Sequence, residues 1–434
     1  MTSLSRRTIL TSALTAATSM LAGCGGSSED STSSAEATPS PSPSAPPPAP
    51  PPTGPSWAAR AASGTWTEVP MGNTLASVNP INDRAINPNF PLAPEWAPNE
   101  NSFENVVASW CGASFNEAKA EMWLGIHGGH TDYAGNEILA CDYSSESPAW
   151  RMVRKPSGAI GNQIRTDDGL EASGVYADGR PRSIHTAGKW CYVPGVGPAL
   201  MVLGAGAWQP TRGGKNWSVF VSESTGEASF TSLPAWTGTV DNSGACFDSR
   251  RNAIWVGIRN KDSLLRYDVP ASGAAHTGSY SNVGSGDPGY GNQNLCYIPG
   301  HDCILHADSF DDDTNSRWRV FDCATGLWHK PAFNGPLLGP LSVGTGQLRW
   351  VPSLGAACFW DNQTRTTLIT KVKPGANPRT DPWTISSLPV NSSNVVSPTP
   401  RAAHGTFGRF AYSALLGGFL LFNSTTGPTY FYKI

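Results

Sequence analysis

The sequence predicts an all-β protein, a six-bladed β-propeller closed into a ring by a strand from its N-terminal side. Three observations carry this. Charged residues make up only 15% of the 434 residues, against about 25% in ordinary soluble domains. The chain holds 46 glycines, 37 prolines and 16 tryptophans, the turn formers and aromatics of many short strands. Beyond residue 64 a strand–turn–strand–loop–strand–turn–strand pattern recurs at a spacing of about 40–60 residues. A coiled coil, a helical bundle and a highly charged disordered chain are excluded. The net charge of −3 gives no generally basic surface, so nucleic acid is not an expected partner.

Taken in order, residues 1–23 read as an export signal. Ser5-Arg6-Arg7-Thr8-Ile9-Leu10 is similar to the twin-arginine signal, and Ala13 to Leu21 forms a short, weakly apolar run. Leu21-Ala22-Gly23-Cys24 then resembles the bacterial lipoprotein box, which implies acylation of Cys24 and anchoring in a membrane through buried CH₂ groups. Removing residues 1–23 takes Arg6 and Arg7 and no acid, so the mature chain is the more acidic. Lipoproteins of this kind that stay at the inner membrane tend to carry Asp after the Cys. Gly25 here points to the outer membrane in a cell that has one. Residues 24–55 are rich in Ser, Ala and Pro and cannot bury enough apolar area to fold. Their Pro run favours extended polyproline II, a semi-rigid stalk. Residues 56–434 form the propeller.

The first repeat starts VVASWCGASFNEAKAEMWLGIHGG at Val106, continues NEILACDYSS and ends WRMV. The second is HTAGKWCYVPGVGPALMVLGAG from His185, WSVFVSESTG and FTSL. The third runs GACFDSRRNAIWVGI from Gly244 and SLLRYDVPASG; the fourth NLCYIPGHDCILHA from Asn294, RWRVFDCATG and WHKP. The fifth is LRWVPSLGAACFWD from Leu348, TLITKVKPG and WTIS. The sixth, RFAYSALLGGFLLF and TYFYKI, lacks its fourth strand, and Thr65-Trp66-Thr67-Glu68-Val69 supplies a match to it. Joining both ends of the chain in one blade removes the open sheet edge. Seven blades would require strands hidden in one of the long loops.

The repeats resemble the kelch family of β-propellers. Pro181-Arg182-Ser183-Ile184-His185-Thr186 and Pro400-Arg401-Ala402-Ala403-His404-Gly405-Thr406 are similar to its opening P-R-x-x-H. Gly128-Gly129 is similar to its glycine doublet, and Trp66, Trp150, Trp328 and Trp383 to its late tryptophan. The resemblance covers about 64–434 and bears on fold far more than on function. The family's oxidase members bind copper partly through an adjacent Tyr-His pair. This chain has no such dipeptide, which disfavours a copper radical oxidase.

Apart from Cys24, eight cysteines remain. Export permits disulfides, but Cys191, Cys246 and Cys296 occupy the same position in three different repeats. Equivalent positions of neighbouring blades lie too far apart for a bridge. The expectation is buried thiols with one or two bridges at most.

In such blades the loops joining strands two and three share one face, the top, with the interblade loops. The other turns share the bottom. Two interblade loops are long, about 70–102 and 155–184, and loops of this length are usually functional or disordered. Between them lies the polar loop His127-Gly128-Gly129-His130-Thr131-Asp132-Tyr133-Ala134-Gly135-Asn136-Glu137. His185 and His404 open the flanking blades, so four of the eight histidines are expected on one face. The candidate catalytic residues are therefore His127, His130, Tyr133, Arg182 and His185, with Asp132, Arg212, Arg259, Arg401 and His404 as ligand-binding residues. The opposing reading gives P-R-x-x-H structural hydrogen bonds and gives the glycines a tight turn. His127 and His130 have a metal-binding spacing without fixed geometry. Asp308 to Asn315 reads as a calcium loop or as a solvated acidic one.

Two classes of function follow. One is a polysaccharide-active protein, a lyase in its sharpest form. That chemistry needs a cation on the uronate carboxylate and a His or Tyr as base. A hydrolase would need two carboxylates, with Asp132, Glu137, Asp167, Asp168 and Glu171 as candidates. The other is a non-catalytic module binding a polysaccharide or a cell-envelope protein. A metal-dependent oxidoreductase is the remaining alternative, and no cofactor follows from the sequence.

Overall fold

Trp66–Glu68 (β1), the first strand, pairs antiparallel with Thr429–Lys433 (β25), the last, Trp66 standing opposite Tyr432. The ring closes as the sequence predicts. In this computed structural model the described residues are 54–80, 102–128, 133–157, 176, 178–202, 217–232, 244–257, 263–270, 280–284, 292–309, 317–335, 347–360 and 365–434.

Six blades follow in chain order. Blade one holds Ser114–Asn116 (β2), Glu121–Gly125 (β3), Ile138–Asp142 (β4) and Trp150–Arg154 (β5). Blade two holds Trp190–Val193 (β6), Gly197–Val202 (β7), Trp217–Val221 (β8) and Ala228–Ser232 (β9). Blade three has Ala245–Asp248 (β10), Ala253–Gly257 (β11), Leu264–Asp268 (β12) and Tyr280–Val283 (β13). Blade four has Asn292–Ile298 (β14), Cys303–Ser309 (β15), Arg317–Asp322 (β16) and Trp328–His329 (β17). Blade five runs Arg349–Val351 (β19), Ala356–Phe359 (β20), Thr370–Lys373 (β21) and Trp383–Ser387 (β22). Blade six runs Phe410–Ser413 (β23), Gly418–Phe422 (β24) and β25, with β1 outermost.

Two features depart from the sequence pattern. Phe333–Asn334 (β18) adds a fifth strand to blade five, parallel to β22, with the Trp383 amide donating to Ala332 at 2.7 Å. Val106 and Val107, read as opening an innermost strand, lie in a short helix, Asn105–Ala108 (α2). A strand would send adjacent valines to opposite faces; the helical turn lets both bury beside Phe103.

Alternation along the strands explains how the ring is held. A blade buried on both faces divides its side chains between two neighbours. In β3, Met122 and Leu124 enter the core shared with blade six, while Trp123 enters the core shared with blade two. Six such cores fill the six interblade spaces. Around the axis the backbones nearly touch. A Cβ on Gly112 would stand 1.8 Å from the Ala187 carbonyl oxygen, and one on Gly408 1.8 Å from that of Ala113.

All eight described cysteines are buried and none forms a disulfide. The geometry gives the reason: Cys191, Cys246 and Cys296 each fall in a different interblade core.

Ser56–Arg60 (α1) precedes the ring and docks on its bottom rim. The Ser56 amide and hydroxyl both donate to Glu146, at 2.8 and 2.6 Å, and the Trp57 indole donates to Ser145 at 2.9 Å. Gly54 packs so closely on Leu415 that a Cβ would lie 2.7 Å from its carbonyl oxygen. Among the described residues no helix is long and apolar enough to cross a membrane.

Candidate functional site

The described part of the top-face group divides into two clusters. The first is fully buried. His127 leaves β3 and forms a parallel bridge with Ile184 of the next blade. Its Nε2 lies 3.7 Å from Glu137 Oε1, and neither ring nitrogen makes a hydrogen bond among the described residues. The Tyr133 hydroxyl donates to the same Glu137 oxygen at 2.9 Å. Burial, followed by the Glu137 charge and hydrogen bond, pushes the Tyr133 phenol well up. Gly135 packs tightly here: a Cβ would crowd the Glu137 carboxyl and the Tyr133 ring. Arg182 is also buried, its guanidinium 5.8 Å from the Tyr176 ring, and Tyr176 donates to the Ala134 carbonyl at 2.6 Å. Asn136 ties the group to the Ser157 hydroxyl at 2.8 Å and the Pro181 carbonyl at 2.9 Å. His127, Tyr133 and Arg182 thus lie buried in one neighbourhood with Glu137, Tyr133 packing in the core shared with blade six.

The second cluster is more open. Trp110 stacks on His404, with ring centroids 4.7 Å apart and planes 21° from parallel, and lies 6.4 Å from His185. His404 is exposed, while His185 and Trp110 are half-buried. Arg401 donates to the Ala403 carbonyl at 3.4 Å. Behind this cluster Arg409 is fully buried and donates to the carbonyls of Cys111 and Gly405. Burial pushes its guanidinium down to about 10. His130, Asp132, Arg212, Arg259 and Cys24 lie outside the described residues, as do most of the two long loops and residues 310–316.

The described residues enclose their aromatic-lined concavity elsewhere, at the bottom end of the axis. A pocket of about 510 Å³ opens between the innermost strands of blades one to five. Its lining includes Tyr192 of β6, Phe247 of β10 and Trp350 of β19, which are half-buried, and Phe115 of β2, Trp190 of β6 and Tyr297 of β14, whose side chains are buried in the interblade cores. Its charged residues are Glu117, Lys119 and Arg349. Arg349 is fixed by two backbone acceptors, its Nε donating to Phe410 at 3.0 Å and its Nη2 to Gly408 at 3.3 Å. Enclosure pushes this guanidinium down, with Glu117 the largest opposing influence. Glu117 is open to the pocket's solvent but surrounded by protein. Enclosure raises its carboxyl, and Arg349 opposes that rise. The two charges share the pocket without forming an ion pair.

On the rim, Lys119 meets Glu223 at 2.6 Å, and Glu223 also accepts from Tyr192 at 2.6 Å and from Asn116 at 3.2 Å. This network ties blade one to blade two beside the pocket mouth. It is solvent-exposed and adds little stability.

Asp248, Asp302 and Cys323 come close enough together to suggest a cation site. Their oxygens are already engaged. Arg251 donates to Asp248 at 2.9 Å and to both Asp302 oxygens at 2.5 and 2.8 Å, Trp255 donates to Asp248 at 3.1 Å and Tyr297 to Asp302 at 3.2 Å. The cluster is a clamp between blades three and four.

Sequence reasoning named Cys191, Cys246 and Cys296 only as buried thiols, assigned none of the pocket's lining to a site, and missed Trp110. One signal was available: aromatics recur on the innermost strands, at Phe115, Trp190, Phe247, Tyr297 and Trp350.

No protein family and no curated protein matches this sequence. Among solved structures, the chain is similar to a GH74 xyloglucanase from Xanthomonas campestris, with 14% identity and a TM-score of 0.40 over 85% of this chain and 50% of that one. It thus spans half the length of that enzyme. It is also similar to a periplasmic gluconolactonase from Pseudomonas aeruginosa, with 10% identity and a TM-score of 0.37 over 73% and 78% of the two chains. A putative exo-β-1,3-galactanase from Bifidobacterium bifidum aligns with 10% identity and a TM-score of 0.37 over 67% and 94%.

Proposed function

We propose that this chain is an exported, kelch-like propeller lipoprotein, anchored through Cys24, that binds a saccharide in its axial pocket without cleaving it. The carrying observation is the pocket itself: the half-buried rings of Tyr192, Phe247 and Trp350, from three blades, in one cavity with Glu117 and Arg349. Flat aromatic faces suit the C–H faces of a sugar ring, and a few charged groups suit its hydroxyls. The volume falls within the range of small-molecule sites, about 300–1,000 Å³.

Calorimetric titration of the purified protein with a panel of oligosaccharides tests this. Binding is expected, and Trp350→Ala and Phe247→Ala are expected to weaken it by about tenfold or more, as loss of a stacking ring does. If no glycan binds, or these variants bind like the parent, the reading fails and an envelope protein becomes the partner to seek.

A second reading, polysaccharide cleavage at the top face, is supported by Trp110 lying beside both His185 and His404. It is the weaker of the two. Tyr133 is fully buried and its hydroxyl is committed to Glu137, so it is a poor base for a polymer. Mass spectrometry of glycan digests decides the matter: unsaturated products would establish a lyase.

A further inference from the structure

We infer that the axial pocket selects neutral, hydroxyl-rich sugars and rejects uronic ones, with Glu117 as the selecting residue; this rests on the saccharide reading above. The pocket presents one carboxylate and one guanidinium, enclosed by the same aromatic walls and not joined to each other. A hydroxyl both donates and accepts, so a neutral ring can donate to Glu117 and accept from Arg349 with neither charge displaced. Two of the three Arg349 nitrogens are already held by the Phe410 and Gly408 carbonyls. An incoming carboxylate can therefore meet Arg349 only through the three N–H groups that remain. A uronate would also bring a second negative charge into an enclosed space beside Glu117, where like charges repel strongly.

The other groups around Glu117 do not reverse this balance. Lys119, on the same turn, is committed to Glu223 at 2.6 Å. From blade four Cys296 faces the carboxylate as a thiol pushed up to about 12, neutral at working pH. The neighbouring blades contribute Cys191, Tyr192 and Tyr297, all neutral there as well.

Selection of this kind depends on pH. Enclosure raises the Glu117 carboxyl. Protonation on acidification removes the acceptor for a neutral sugar and the repulsion of a uronate together. Neutral binding should weaken, and uronate binding strengthen, as the pH falls through that raised value.

The test uses the full chain in detergent and matched disaccharides of glucose and glucuronate, galactose and galacturonate, and mannose and mannuronate. At pH 7.5 the neutral member of a pair should bind about tenfold tighter or more, and the gap should narrow as the pH is lowered through the raised Glu117 value. Glu117→Gln keeps the shape and removes the charge. It should bind both members with affinities that no longer change across that range. Thermal unfolding confirms that the variant folds. Equal or tighter binding of the uronate at pH 7.5, or selectivity that survives in Glu117→Gln, overturns this inference and leaves the saccharide reading standing. If no pair binds at any pH, both fall.

Discussion

The Tyr133 hydroxyl donates to Glu137 Oε1 at 2.9 Å in a site where both residues are fully buried. The bond holds the middle of the polar loop against the strand that follows it. Tyr133→Phe keeps the ring and leaves a buried carboxylate one donor short, a loss of about 1–3 kcal/mol. Urea unfolding should show it, while saccharide titration should match the parent. A variant that stays stable but loses ligand would place Tyr133 in the recognition machinery instead.

Gly408 admits the close approach of blade six to blade one, its missing Cβ lying 1.8 Å from the Ala113 carbonyl oxygen. The obstacle is backbone, which cannot swing aside as a side chain would. Gly408→Ala should cost about 1–3 kcal/mol or more through overpacking. A Tm equal to that of the parent would contradict the tight axis.

Asp322 accepts from Arg379 at 2.6 Å and from the amides of Ala324 and Thr325. Burial pushes the carboxyl up, but these bonds outweigh it and hold it at about 2. Its folded value is below the unfolded one of about 3.9. The pair therefore contributes fully above that unfolded value, and its contribution is lost as pH falls through about 2. In Arg379→Ala the acid-unfolding midpoint should move to higher pH. An unchanged midpoint would show that the pair adds nothing.

The channel thiols offer a readout of pocket occupancy. Burial pushes Cys191 and Cys296 up to about 12 and pushes Cys246 well up too. All three border the pocket. At pH 8 a small methanethiosulfonate should modify them slowly, and saturating saccharide should slow this again. All eight described cysteines should react together in guanidinium. Rapid labelling of the native protein, or labelling indifferent to ligand, would count against the pocket as the binding site.

The blades were legible because inner strands buried on both faces read as short apolar runs and their turns recur at the same place. Trp66 announced the closing strand because it sits where Trp150, Trp328 and Trp383 sit in their own blades. Strand β18 left no such mark: two residues of an interblade segment pair with β22 only because the ring brings them past it. The pocket was illegible for a similar reason. Glu117 and Arg349 are remote in sequence and belong to no motif; the circular arrangement alone places them in one cavity. The prominent motif histidines drew attention to the opposite face, where His127 lies fully buried.

Helix α1 docks against the turns that hold Ser145, Glu146 and Leu415, on the same rim as the pocket mouth. The described chain therefore enters the ring on the same side from which a ligand of the cavity would.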